Sequence, residues 1–231
     1  MRPLSTFIGI LGLVATLAPA SAYAQLIPSS TLTPEDLGKL AGEYGSVLRF
    51  RQLGDTTTLA KGRVDLGVQF ASAPIDTTNQ SWNVTRIVGR FGVGDRVDLG
   101  AWGGYNSQAS DGMAGVDVKI AVLRQSDSMP VAVSVRPSFS STLGAGDVWA
   151  ATTGVDLSVS RTIGAFAPYG GIAAMSSLAS ERLQNIDYER QSANDTLAYA
   201  GLAYTWRPLI AAFEVEKGSK VSYAVRIGTR F

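Results

Sequence analysis

Apolar and polar residues alternate with a period of two along most of the chain from residue 59 onward. That period predicts strands with one apolar and one polar face. It is clearest over 148–161, where Trp149, Ala151, Thr153, Val155, Leu157 and Val159 oppose Ala150, Thr152, Gly154, Asp156, Ser158 and Ser160. Over 130–142, Val131, Val133, Val135 and Phe139 oppose Arg136 and three serines. Over 112–124, Val116, Val118, Ile120 and Val122 oppose Asp117 and Lys119, and over 96–107 Val97, Leu99 and Tyr105 oppose Asp98 and Trp102. Over 59–72, Val64, Leu66, Val68 and Phe70 oppose Lys61, Arg63 and Asp65. The last segment sets Val221, Tyr223, Val225, Ile227 and Phe231 against Ser222, Ala224, Arg226 and Arg230. A short strand at 209–217 carries Glu214 and Glu216 on its polar side. Three further segments, 82–92, 165–178 and 195–207, are blurred by Gly and Ala, and their faces stay unassigned.

These segments make ten strands between 59 and 231. Short turns at 92–95, 124–130, 161–165 and 206–208 alternate with longer or more polar connections at 74–81, 107–112, 141–147 and 179–195. Such alternation belongs to an up-and-down meander, and an even strand number puts both its ends at one rim of a closed barrel. Eight strands stay open if two segments are rim structure, and twelve if an early strand is missed. Ahead of the meander, Thr33-Pro34-Glu35-Asp36 reads as a helix start, with Leu37, Leu40, Ala41 and Tyr44 as its apolar stripe. A strand-like stretch, Val47 to Leu53, follows it. Residues 25–58 are therefore expected to be a periplasmic, plug or rim segment, and 59–231 the barrel.

Residues 1–24 read as a cleaved signal peptide: Arg2, an apolar run from Phe7 to Leu17, then Ala22-Tyr23-Ala24. Cleavage leaves 19 basic and 19 acidic side chains, a balance that does not point to nucleic acid. Export decides how the two strand faces are read. A soluble barrel is apolar inside and a membrane barrel apolar outside. The polar faces are rich in Gly, Ala and Ser, which suits a crowded interior. The apolar faces carry Val and Leu centrally, with aromatics such as Phe70, Tyr105, Phe139, Trp149, Tyr204, Trp206 and Phe231 towards the ends, as interfacial girdles require. The expected lumen charges, structural or pore-lining, are Lys61, Arg63, Asp65, Asp98, Asp117, Lys119, Arg136, Asp156, Glu214, Glu216 and Arg226.

The chain has neither His nor Cys, which excludes a Ser-His-Asp triad, a thiolate nucleophile and a Cys/His zinc site. No catalytic, metal or cofactor residue is expected, and Glu214 and Glu216 read as lumen partners for Arg226 or another base. The 179–195 loop, with Glu181, Arg182, Asp187, Glu189, Arg190 and Asp195, is the largest surface on which a ligand could bind.

With its signal peptide, meander and final strand Val221–Phe231, the chain resembles bacterial outer-membrane β-barrel proteins of the small, porin-like kind. The resemblance implies an all-β, closed antiparallel transmembrane barrel in the outer membrane. Its partners would be membrane lipid and the barrel-insertion machinery, for which Tyr223, Val225, Ile227 and Phe231 would carry the C-terminal assembly signal. The barrel enzymes of this superfamily use a histidine, so a non-enzymatic structural, adhesive or narrow-pore role is expected. The alternative is a soluble periplasmic or secreted barrel holding an apolar ligand, with Val64, Val116, Val133 and Val155 lining its cavity.

Overall fold

The computed structural model describes residues 33–77, 79–109, 111–143, 148–181 and 190–231. The expected signal peptide lies outside them, as does 182–189 of the expected ligand loop. Among the described residues one helix, α1 (Pro34–Leu48), precedes ten strands. These are β1 (Val64–Ile75), β2 (Gln80–Gly92), β3 (Val97–Asn106), β4 (Asp111–Leu123), β5 (Ala132–Thr142), β6 (Val148–Ser160), β7 (Phe166–Glu181), β8 (Arg190–Trp206), β9 (Leu209–Lys217) and β10 (Val221–Arg230).

Each strand pairs antiparallel with its chain neighbours, and β1 also pairs with β10, so the sheet closes on itself. Closure removes both edges and satisfies every interior ladder position. At the seam the Val64 N–H donates to the Phe231 carbonyl at 2.8 Å, and the Phe231 N–H returns the bond at 2.9 Å. Both ends of the meander thus share one rim, as strand parity demands, but the connections there, from two residues (207–208) to eight (124–131), are no shorter than those at the other rim.

The faces are those of a membrane barrel. Val116, Val155, Ile172 and Ile227 are 55, 51, 56 and 66% exposed, whereas Asp156 and Glu214 on the alternate positions are 2 and 0% exposed. Val116 and Val155 therefore do not line a cavity, contrary to the soluble alternative. Outward-facing aromatics gather towards the rims: Phe91, Phe166, Tyr204, Trp206 and Phe231 by the turns, Tyr105, Phe139 and Tyr223 in the loop-ward halves of their strands.

α1 starts where its sequence dictates. Thr33 caps it, accepting from the Asp36 N–H at 3.2 Å and donating its hydroxyl to the Asp36 carboxylate at 2.7 Å, with Pro34 at the first turn. The Thr33 bonds hold the Asp36 carboxyl below its ordinary range. Leu37, Leu40, Ala41, Tyr44, Val47 and Leu48 are buried, and what they meet is the inside of the barrel. Leu40, Tyr44, Val47, Leu48 and Phe50 form one cluster with inward side chains of β1, β2, β3, β4 and β6, including Ile75, Trp82, Trp102, Met113 and Ala150. The Tyr44 and Trp82 rings meet edge-on at 4.9 Å.

Three expectations are corrected. Val47 to Leu53 is not strand-like: Val47 and Leu48 finish the helix, and residues 49–59 run irregularly through the lumen, because their polar groups find partners on the wall instead of a neighbouring strand. β1 begins at Val64, after a turn built on Gly62 at φ +79°, a conformation that suits glycine. That turn leaves Lys61 and Arg63 exposed at the rim, so neither is a lumen charge. β7 and β8 run on to Glu181 and back from Arg190, so much of the expected 179–195 loop is strand.

Candidate functional site

The lumen is occupied by a charged belt that joins the barrel wall to residues 43–59. The other nine expected lumen charges all point inward and are buried: Asp65, Asp98, Asp117, Lys119, Arg136, Asp156, Glu214, Glu216 and Arg226. Strand register brings several together directly, with Asp98 opposite Lys119 and Arg136 opposite Asp156. The corresponding ion pairs are 3.4 and 3.3 Å.

These nine do not balance. Six are acids and only three are bases, and unpaired carboxylates in a narrow interior are costly. The missing cations come from residues outside the expected set. Arg90 on β2 reaches Asp117 at 2.8 Å. Arg230 on β10 reaches Asp65 at 3.2 Å, beside the Arg226–Asp65 pair. Arg49 and Arg51, on the segment after α1, supply the rest. Arg49 bridges Glu216 on β9 and Asp156 on β6, the latter at 2.9 Å, and Arg51 also pairs with Glu216. Of the two expected partners for Glu214 and Glu216, Arg226 or another base, Glu216 takes the second, Arg49 and Arg51, while Arg226 pairs with Asp65. The sequence carried no signal calling for these further bases, since the expected set, with Lys61 and Arg63 in it, held six acids and five bases; the excess of acids emerges only when those two lie exposed at the rim.

Arg86 on β2 serves differently. Its guanidinium donates to the Val47 carbonyl and, at 2.8 Å, to the Arg49 carbonyl, and lies 4.1 Å over the Trp102 ring. A helix end exposes unpaired carbonyls and a partial negative charge. α1 has no basic residue in its last turn, and the wall provides one.

Below the helix the chain crosses the lumen through further bonds. The Arg136 guanidinium donates to the Gln52 Oε1 at 2.7 Å and lies over the Phe50 ring. The Leu53 N–H donates to Glu214 at 3.1 Å, and the Thr56 N–H to the Ser160 hydroxyl at 3.0 Å. Lys119 donates to the Thr57 carbonyl, and the Leu59 N–H to Asp98 at 2.9 Å. Two glycines clear space for interior rings. A Cβ on Gly171 would sit 2.6 Å from the Tyr199 hydroxyl, and one on Gly115 2.7 Å from a Trp102 ring carbon. The arrangement neutralises and hydrogen-bonds a strap of backbone across the pore, with the carboxylates held in ion pairs or by backbone N–H donors.

The expected assembly-signal residues Tyr223, Val225 and Ile227 face outward on β10, and Phe231 follows its end half-exposed.

No family model matches the chain, and no curated protein matches it. Solved structures do. The chain is similar to the N-terminal β-barrel domain of Pseudomonas aeruginosa OprF, at 12% identity and a TM-score of 0.39, over 75% of this chain and 100% of that one. It is also similar to the outer membrane protein OprG of Pseudomonas aeruginosa, at 12% identity and a TM-score of 0.40, over 77% and 99%. The third is Ail, the attachment invasion locus protein of Yersinia pestis, at 14% identity and a TM-score of 0.35, over 74% and 99%. Likeness at this level concerns barrel architecture alone: the matched structures are small outer-membrane β-barrels, and this chain is a closed ten-stranded antiparallel barrel with one short helix.

Proposed function

We propose that this chain is an integral outer-membrane barrel with a structural or surface-presenting role, closed by its own residues 34–59 and not an open channel. One observation carries the reading: side chains facing out are aliphatic and aromatic, while buried charges face in. Only hydrocarbon makes that arrangement favourable, because a water-facing belt of Val, Leu, Ile and Phe forfeits the burial that drives folding. A closed ladder leaves no backbone edge in lipid. The lumen of a barrel this narrow holds little beyond side chains, and here a helix and a crossing strap share it, which argues against steady conduction. Export by the 1–24 signal, and recognition of Tyr223, Val225, Ile227 and Phe231 by the insertion machinery, belong to the same reading. So does a non-enzymatic role, since the carboxylate pair Glu214 and Glu216 is engaged by Leu53, Arg49 and Arg51.

Purified mature protein reconstituted in a planar bilayer tests this. Silence is expected, from a protein that needs detergent for solubility and migrates differently on a gel when unheated. Steady conductance overturns the closed lumen. A compact monomer in plain buffer overturns membrane residence.

A further inference from the structure

The direction in which residues 34–59 pass through the barrel carries a consequence for membrane topology. The start of β1 and the end of β10 share one rim with the β2–β3, β4–β5, β6–β7 and β8–β9 connections. Residues 58–62 lie there: the Thr58 hydroxyl donates to the Asp95 carbonyl at 3.0 Å, and the Gly62 N–H to the Gly92 carbonyl at 2.8 Å. α1 lies at the opposite rim. Its Glu43 carboxylate accepts from the Asp76 and Thr77 N–H groups, at 2.7 and 3.2 Å, and from Lys220 at 3.3 Å. It thereby ties the helix to the β1–β2 and β9–β10 connections. Leu37 and Ala41 pack on Ala179 near the loop end of β7.

Length agrees with a full crossing. The 15-residue helix rises about 22 Å. The strap of residues 49–59 adds up to about 33 Å when extended, against a hydrocarbon core of about 30 Å. Thr33 and Glu35, at the free end of the helix, are exposed on the loop side, where the Glu35 side chain is 79% exposed. In membrane barrels the protruding loops face the exterior, and here β7 and β8, the longest strands at 16 and 17 residues, run on past Lys217 of β9 at the α1 rim.

We infer that the N-terminal arm is threaded through its own barrel and presented on the outer face of the membrane. The inference rests on the outer-membrane reading and adds a display function to it. The start of α1 at Thr33 to Glu35 then stands at the cell surface, with the Arg49–Glu216–Asp156 cluster as the anchor of the arm. Two routes give this result: the barrel closes around the arm, or the arm enters a closed barrel N-terminus first. Slippage back is opposed in either case, because it would strand Glu216 and Asp156 without Arg49.

The chain has no cysteine, so single cysteines report position cleanly. The full-length protein is expressed in a Gram-negative host as Glu35→Cys, Ser219→Cys or Arg63→Cys, each at an exposed position. Cells are treated with a membrane-impermeant maleimide before or after outer-membrane permeabilisation. Glu35→Cys and Ser219→Cys are expected to label fully in intact cells, and Arg63→Cys only after permeabilisation. Labelling of Ser219→Cys but not Glu35→Cys in intact cells overturns the threading and leaves the membrane barrel standing. Protection of Ser219→Cys in intact cells overturns the outer-membrane orientation and the display with it.

Discussion

Two sectors of the barrel wall differ in what they turn inward. β4, β6, β9 and β10 present Asp117, Lys119, Asp156, Glu214, Glu216 and Arg226 to the lumen, between aliphatic residues that face out. β2, β7 and β8 turn mostly apolar side chains inward. Trp82, Val84 and Val88 point inward from β2, Tyr169, Ala173 and Met175 from β7, and Leu197 and Tyr199 from β8. The first sector grips the strap after the helix by charge. Much of the second packs against the helix and Leu53. A blurred alternation in a membrane barrel is therefore informative. It marks strands whose inner face packs in large part on apolar side chains of the helix and Leu53 instead of on the polar strap, where burial of apolar area is favourable.

The charged sector gives the largest expected effect. Glu216→Ala removes the shared carboxylate of Arg49 and Arg51 and leaves buried guanidinium charge uncompensated, at a cost of about 3–5 kcal/mol. It should lower the urea midpoint of the heat-modifiable folded form sharply. An unchanged midpoint would mean that the strap does not contribute to barrel stability. In the apolar sector, Leu48→Ala opens a cavity where a fully buried side chain meets the wall, and about 2–4 kcal/mol should be lost in the same assay. A loss as large as that of Glu216→Ala would erase the distinction between a charged grip and an apolar seat. The smallest effect belongs to Arg63→Ala. This residue shares the alternation of the lumen charges but is exposed at the rim, so a change within about 0.5 kcal/mol is expected.

That last case shows how far strand period can be read. Asp65 and Arg63 lie two residues apart on one nominal face, yet only Asp65 is buried. The turn at Gly62 starts the strand later than the period indicates, and alternation carries no signal for where a strand begins. The same limit hid Arg49 and Arg51. They lie in the strand-like stretch Val47 to Leu53, but they follow a helix on irregular backbone, so alternation there does not say what they face. Arg86 and Arg90 were hidden by another cause: β2 mixes polar and apolar side chains on both faces, Trp82, Val84 and Val88 with the two arginines inside and Ser81, Asn83 and Thr85 with Ile87 and Phe91 outside, so its faces could not be told apart.

The sequence by itself pointed to a closed meander with ten strands as the favoured count, and to the apolar flank of the clearly alternating strands as the outer one. Each of these follows from local chemistry repeated every two residues. It also determined the start of α1, because a cap, a proline and two acids act within one turn. The tertiary structure alone decided that the helix lies inside the barrel, which rim its first turn reaches, and which base meets which acid. Those depend on groups far apart in the chain, Arg49 with Asp156 and Glu216 above all, which meet only once the cylinder is closed.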